Sequence, residues 1–114
     1  MRVFLTIVAL LMANVCFASE RVIVYFHAEW CGPCKELSKV FSDPAIDKEI
    51  KDGKMVLLGL DYDEHTAEAA RYGVTALPTV VIVDTDWKVS TEINRFTGGV
   101  NRTGLINFLR KARK

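Results

Sequence analysis

Two cysteines separated by two residues, Cys31 and Cys34, stand in the run Trp30-Cys31-Gly32-Pro33-Cys34. Thiols at that spacing can cycle between dithiol and disulfide and so pass two electrons per cycle. The run before them, Val22-Ile23-Val24-Tyr25-Phe26, reads as a buried strand, and Lys35-Glu36-Leu37-Ser38-Lys39-Val40-Phe41 after them carries apolar residues at helical spacing. Placement at the start of a helix makes the two sulfurs unequal. The first residues of a helix lie beside unsatisfied N–H groups and the positive end of the dipole, which favours a thiolate at Cys31, and the thiolate is the attacking form. Cys34, one turn inside, is placed to attack a mixed disulfide on Cys31 and release the reduced partner. Cys31 is accordingly expected to be exposed and Cys34 recessed. Pro33 suits an early helical position, where its missing N–H breaks no bond, and Gly32 lets another backbone come near Cys31. Lys35 reads as a solvated lysine on the helix face.

Other uses of the pair are weaker. A structural disulfide closing so short a loop removes little chain entropy. A metal site would need further soft ligands, and only Cys16, His27 and His65 remain to supply them. His27 reads as a packed or substrate-facing residue beside the motif. His65, in Asp63-Glu64-His65-Thr66, reads as part of a solvated helix start.

The first segment bears on the compartment. Met1-Arg2 is a short positive start, Val3 to Ala13 is an apolar core, and Cys16-Phe17-Ala18 ends on a small residue ahead of Ser19-Glu20. That pattern predicts a secretory signal peptide over residues 1–18 and a single domain over 19–114, periplasmic or secreted after cleavage. The alternative is membrane anchoring by an uncleaved N-terminal segment, but Asn14 interrupts the stretch well short of the roughly 20 residues a spanning helix needs. Asn14 and Val15 also fit poorly with lipidation of Cys16. Without residues 1–18 the 114-residue chain keeps 96, enough for one small core. Its 15 Lys and Arg, less Arg2, balance 14 Asp and Glu, so no charge excess points to nucleic acid or an anionic membrane as partner. An exported chain with one cysteine pair uses it for exchange rather than as a multi-bridge scaffold.

Periodicity and breakers order the rest. Ser42-Asp43-Pro44 supplies a turn and a helix start, and Ala45 to Lys51 reads as a short helix closed by Asp52-Gly53. Met55 to Leu60 reads as a second buried strand. Glu64 to Tyr72 reads as a helix stopped by Gly73, with Ala67, Ala70 and Tyr72 inward. Val80 to Val83 and Thr91 to Phe96 make a strand pair around residues 84–88. The last helix, from Arg102 to Ala112, is expected to bury Leu105, Ile106, Phe108 and Leu109. Asn101-Arg102-Thr103 is a formal glycosylation sequon, meaningful in a eukaryotic secretory route.

The segment Phe26-His27-Ala28-Glu29-Trp30-Cys31-Gly32-Pro33-Cys34-Lys35 resembles the active-site segment of the thioredoxin family. The resemblance implies an α/β thioredoxin fold, a central mixed four-stranded sheet with helices on both faces. Full-length members open with a further strand and helix; after cleavage at residue 18 the chain is expected to leave no room for both, so that Met55 to Leu60 is expected to be an exposed edge. A second segment, Val74-Thr75-Ala76-Leu77-Pro78-Thr79, resembles the family loop whose proline is cis and packs opposite the cysteines. The backbone of Ala76 and Leu77 before Pro78 would pair with an extended substrate like a strand. Gly98 matches the family glycine bordering the same groove, or is a simple turn glycine beside Gly99, and Trp30 would shield the site and contact partners.

Within the family, the chain resembles the exported thioredoxin-like domain of transmembrane thiol-disulfide interchange reductases, which also has a Phe-Ser-Asp-Pro segment, here Phe41 to Pro44. Two positions depart from the family pattern. Tyr25 stands where a buried aspartate handles protons for the second thiol, and Gly59 stands where its partner lysine is found. Glu29 or a water chain would then have to serve.

These residues together imply an exported thiol-disulfide oxidoreductase that mainly reduces protein disulfides, with Cys31 and Cys34 catalytic. Trp30, Gly32, Pro33, Ala76, Leu77, Pro78 and Gly98 would face the substrate. No metal or cofactor is expected beyond the dithiol. Its partners would be disulfide-containing proteins and an upstream dithiol donor such as a membrane thiol-disulfide transporter, with the chain itself a monomer that binds no nucleic acid. The alternatives are a disulfide oxidant or isomerase, a non-catalytic binding module, or a metal carrier.

Overall fold

The computed structural model describes residues 20–86 and 89–113. The leader over residues 1–18, and with it the single-domain boundary at residue 19, lies outside the described residues. So do Trp87 and Lys88 in the last strand connection.

Strand β1 (Glu20–His27) leads into helix α1 (Gly32–Phe41), helix α2 (Pro44–Asp52) and strand β2 (Met55–Asp61). Helix α3 (Thr66–Arg71), strands β3 (Thr79–Thr85) and β4 (Ser90–Thr97) and helix α4 (Arg102–Lys111) complete the order. The four strands form one mixed sheet in the order β2-β1-β3-β4. β1 runs parallel to β2, Tyr25 opposite Gly59, and antiparallel to β3, Tyr25 opposite Val80. α1 and α2 are the crossover that a parallel pair requires.

Alternation along the central strands divides the core. Ile23 and Tyr25 of β1 with Val80 and Ile82 of β3 face α1, α2 and α4, packing on Leu37, Ile46, Leu105 and Leu109. Val24, Phe26, Val81 and Val83 face the other way, against Ala69 and Val74. Helices thus cover both faces of the sheet, as expected for this fold.

Local signals set the helix ends. Asp43 Oδ1 accepts from the Ala45 N–H at 2.8 Å ahead of Pro44, and Asn101 Oδ1 accepts from the Gly104 N–H at 2.8 Å. Both are N-caps. Asn101 therefore spends its side-chain oxygen on the start of α4. Gly73, at φ 65°, ends α3 in the left-handed region that favours glycine.

Three expectations need correction. β2 is not a buried strand: Met55 is buried, but Val56, Leu57 and Leu58 are exposed. Among the described residues β2 pairs with a strand on one side only, in line with the edge reading, while Met55 packs with Ile46 and Ile50 of α2. α3 is shorter than residues 64–72 and buries Ala69, leaving Ala67 and Ala70 exposed. The N–H groups of Glu64 and His65 turn back to the Asp61 carbonyl, which delays the helix and rotates its inward face. In α4, Leu105 and Leu109 are fully buried, whereas Ile106 and Phe108 pack at the core margin, where Phe108 meets Phe96 edge-on at 4.8 Å.

Candidate active site

β1 ends at His27, and the chain turns through Ala28, Glu29 and Trp30 into α1, so the cysteines emerge at the carboxyl end of the central strand. Cys31 is the N-cap of α1, with extended backbone, and Pro33 lies in the first turn. Cys31 and Cys34 are disulfide-bonded, with Cα atoms 5.2 Å apart. The Cys34 N–H points at Cys31 Sγ over 3.2 Å. In the dithiol state that donor and the helix start would stabilise a thiolate at Cys31.

Neither cysteine is exposed in this oxidised form: relative exposure is 5% at Cys31 and 2% at Cys34. The expected exposure of Cys31 is not met, because Ala28, Cys34 and Leu77 pack around it. Their surroundings distinguish the pair instead. Gly32 and Pro33 are exposed beside Cys31, and Trp30 is 67% exposed. Its indole N–H donates to Asp63 Oδ2 at 2.9 Å, which pins the ring at the rim.

The second segment comes to the same place. Leu77 packs on the cysteine cluster, Leu77-Pro78 is cis, Pro78 is buried and Ala76 is exposed. Gly98, at φ 98°, donates its N–H to the Pro78 carbonyl at 2.8 Å. Gly98 therefore borders the Pro78 loop, and its left-handed backbone favours glycine. The candidate catalytic and substrate-facing residues lie together at this end of the sheet.

The structure adds residues that the sequence did not single out. Thr79 is buried, and its hydroxyl donates to the Ala76 carbonyl at 2.7 Å and lies 3.1 Å from Thr97 Oγ1. It holds the loop that carries Leu77. Asp63 holds Trp30 from 33 positions away, and no local pattern announces that contact.

Tyr25 fills the interior below Cys34. Its hydroxyl donates to the Cys34 carbonyl at 2.7 Å, and because a hydroxyl has one proton, the Ser38 hydroxyl at 2.9 Å must donate to Tyr25. Burial pushes the Tyr25 phenol above its ordinary pKa, with the Ser38 hydrogen bond opposing in part. Tyr25 is thus a neutral hydroxyl at physiological pH, unable to accept a proton as a carboxylate would.

The family model described as Thioredoxin matches residues 9–111. The chain is 38% identical over 92 residues to the mitochondrial thioredoxin of Mus musculus, covering 79% of this chain and 50% of that protein. It therefore spans about half the length of the mitochondrial relatives it matches. To the thioredoxin of Chlamydia caviae it is 34% identical over 97 residues, covering 84% of this chain and 86% of that protein. The solution structure of a thioredoxin from Thermus thermophilus superposes with a TM-score of 0.71 at 29% identity, covering 91% of this chain and 78% of that one. The X-ray structure of Fasciola hepatica thioredoxin gives 0.67 at 29% identity, covering 93% and 91%. With its cysteine pair at the head of α1 and the Leu77-Pro78 loop packed on it, the chain belongs to the thioredoxin family.

Proposed function

We propose that the protein is an exported thiol-disulfide oxidoreductase that reduces protein disulfides through Cys31 and Cys34. The observation that carries this reading is the bonded pair at a helix N-cap, with the Cys34 N–H on Cys31 Sγ. In the reduced protein the Cys31 thiolate attacks one sulfur of a substrate disulfide. A Cys31–substrate bond forms, and the other substrate sulfur leaves as a thiolate that takes a proton from solvent. Cys34, having given up its proton, then attacks Cys31 Sγ, closes the intramolecular disulfide and releases the second substrate thiol. Two electrons leave the dithiol, and an upstream dithiol returns them.

The exposed Trp30, Gly32, Pro33 and Ala76, with Leu77, Pro78 and Gly98, form the substrate face, where backbone at Ala76 and Leu77 pairs with an extended segment. Reduction is favoured over oxidation because Gly32 and Pro33 bring no side-chain donor or charge to Cys31, so its thiolate is moderately stabilised and the dithiol gives up electrons readily. Export rests on the leader pattern of Met1 to Ala18. The Phe41 to Pro44 segment supports kinship with the domain attached to transmembrane interchange reductases, and hence a membrane thiol-disulfide transporter as donor.

Trapping tests the assignment. Cys34→Ser should accumulate mixed disulfides with substrate proteins, and Cys31→Ser should accumulate none. Trapping by the Cys31 variant alone would reverse the roles, and binding of the same partners without either cysteine would make the chain a binding module.

A further inference from the structure

Resolution by Cys34 requires its thiol to lose a proton, and reduction of the Cys31–Cys34 bond requires Cys34 to regain one. The sulfur is poorly placed for bulk water. Cys34 is buried, and Cys31, Ala28 and Leu77 close it in on the substrate side. From the interior, the one hydroxyl proton of Tyr25 is committed to the Cys34 carbonyl. Ser38 does not titrate and donates to Tyr25. Cys34 does line an open cleft of about 630 Å³, and His27, Glu29, Lys35 and Asp61 are the ionisable residues around it.

Of these, His27 best matches the task. A group that both takes and returns a proton near neutral pH works best when its own pKa lies there, about 6.5 for an unperturbed imidazole against about 4 for carboxyls and above 10 for lysine. His27 lies on the same face of β1 as Tyr25, and their rings are 5.1 Å apart. The imidazole lies against Gly59 of β2, where a β-carbon would come within 3.4 Å of Nε2. The charges facing His27 are mixed: Glu29 from the turn, Asp61 from β2 and Lys35 from α1. Asp61 Oδ1 already accepts the Asp63 N–H at 2.9 Å, and Glu29 and Lys35 are exposed.

We propose that His27 is the proton-transfer group for Cys34, acting through water in the cleft they share. This rests on the disulfide-exchange function proposed above. In resolution the Cys34 thiol proton passes to water and from water to the neutral imidazole. Cys34 sulfur then bonds to Cys31 Sγ, and the Cys31–substrate bond breaks, its electron pair leaving on the substrate sulfur. In the return direction, a donor thiolate attacks Cys31, Cys34 leaves as a thiolate, and the imidazolium supplies its proton.

The test is rapid mixing of the reduced full chain with dithiobis(nitrobenzoate), which releases one coloured thiolate when Cys31 attacks and a second when Cys34 resolves. In the native protein the second phase should accelerate with rising pH across the neutral range, below the range in which a thiol titrates by itself. His27→Gln should leave the first phase unchanged, slow the second at pH 7 by about tenfold or more, and move its pH dependence to the thiol's own range above about pH 8. A second phase within twofold of native, with the same pH profile, would overturn the proposal. Failure of the native protein to release a second thiolate would instead defeat the oxidoreductase function itself. If His27→Gln does not fold, the native protein decides: the His27 imidazole, followed by NMR, should titrate at different pH in the dithiol and disulfide forms, and identical titrations would overturn the assignment.

Discussion

The phenol of Tyr25 donates to the carbonyl of Cys34 at 2.7 Å, joining the middle of the central strand to the first turn of the helix that bears the cysteines. At this position Tyr25 acts as a neutral tether rather than an ionisable carboxylate. Tyr25 also stacks on Phe41 with ring centroids 5.1 Å apart, so both ends of α1 bear on one side chain.

Tyr25→Phe keeps the stacking and removes the hydroxyl. It should lower stability by about 1 kcal/mol, the net worth of one hydrogen bond, with a larger cost if the Ser38 hydroxyl finds no other partner. Urea denaturation checks this, with a lower midpoint and an unchanged slope expected. The second phase of thiolate release should retain its pH profile, because Tyr25 is not the titrating group.

The direction of electron flow follows from what surrounds Cys31. One backbone N–H reaches its sulfur, and neither residue between the cysteines carries a charge or side-chain donor. Equilibration with a glutathione buffer should place the pair toward the reducing end of the family's range of about 150 mV. A potential near the oxidising end, or a Cys31 pKa near 4, would make the protein an oxidant.

Asn101 caps α4, whose Leu105 and Leu109 are fully buried. Asn101→Ala should cost about 0.5–2 kcal/mol, and Asn101→Asp should recover most of it. Thermal or urea unfolding of both variants is the check.

Glu49 joins α2 to Arg110 of α4, at 2.8 Å, and to Arg113 just past its end, at 3.3 Å. The hydrogen bond from Arg110 holds its carboxyl below the ordinary glutamate pKa, although desolvation opposes the shift. A depressed folded-state pKa contributes stability that is full above the unfolded value, near 4.3, and is lost as pH falls through the folded one. Glu49→Gln should therefore be less stable than native at pH 7, and the difference should shrink below about pH 4. Urea midpoints across that range decide it, and a difference independent of pH would remove the ion pair from the explanation.

The cysteine spacing, the helix starts near Pro44 and Arg102 and the buried strand before the cysteines were legible because each rests on residues within a turn or two of one another. The thioredoxin-like segments around Cys31 and Pro78 likewise pointed to one groove, and Leu77 lies on the cysteines. Less legible was α3, where the choice of Ala69 over Ala67 and Ala70 depended on how the Asp61 turn started the helix.

By itself the sequence determined the redox pair, its place at a helix start and the order of strands and helices, since short-range backbone preferences and hydrophobic periodicity decide those. Tertiary structure alone decided what surrounds the pair. It set Tyr25 under Cys34, Asp63 on Trp30, Gly98 against Pro78 and His27 into the cleft beside the resolving sulfur. Such contacts join residues far apart in the chain, and strand order and register bring them together where no local preference could.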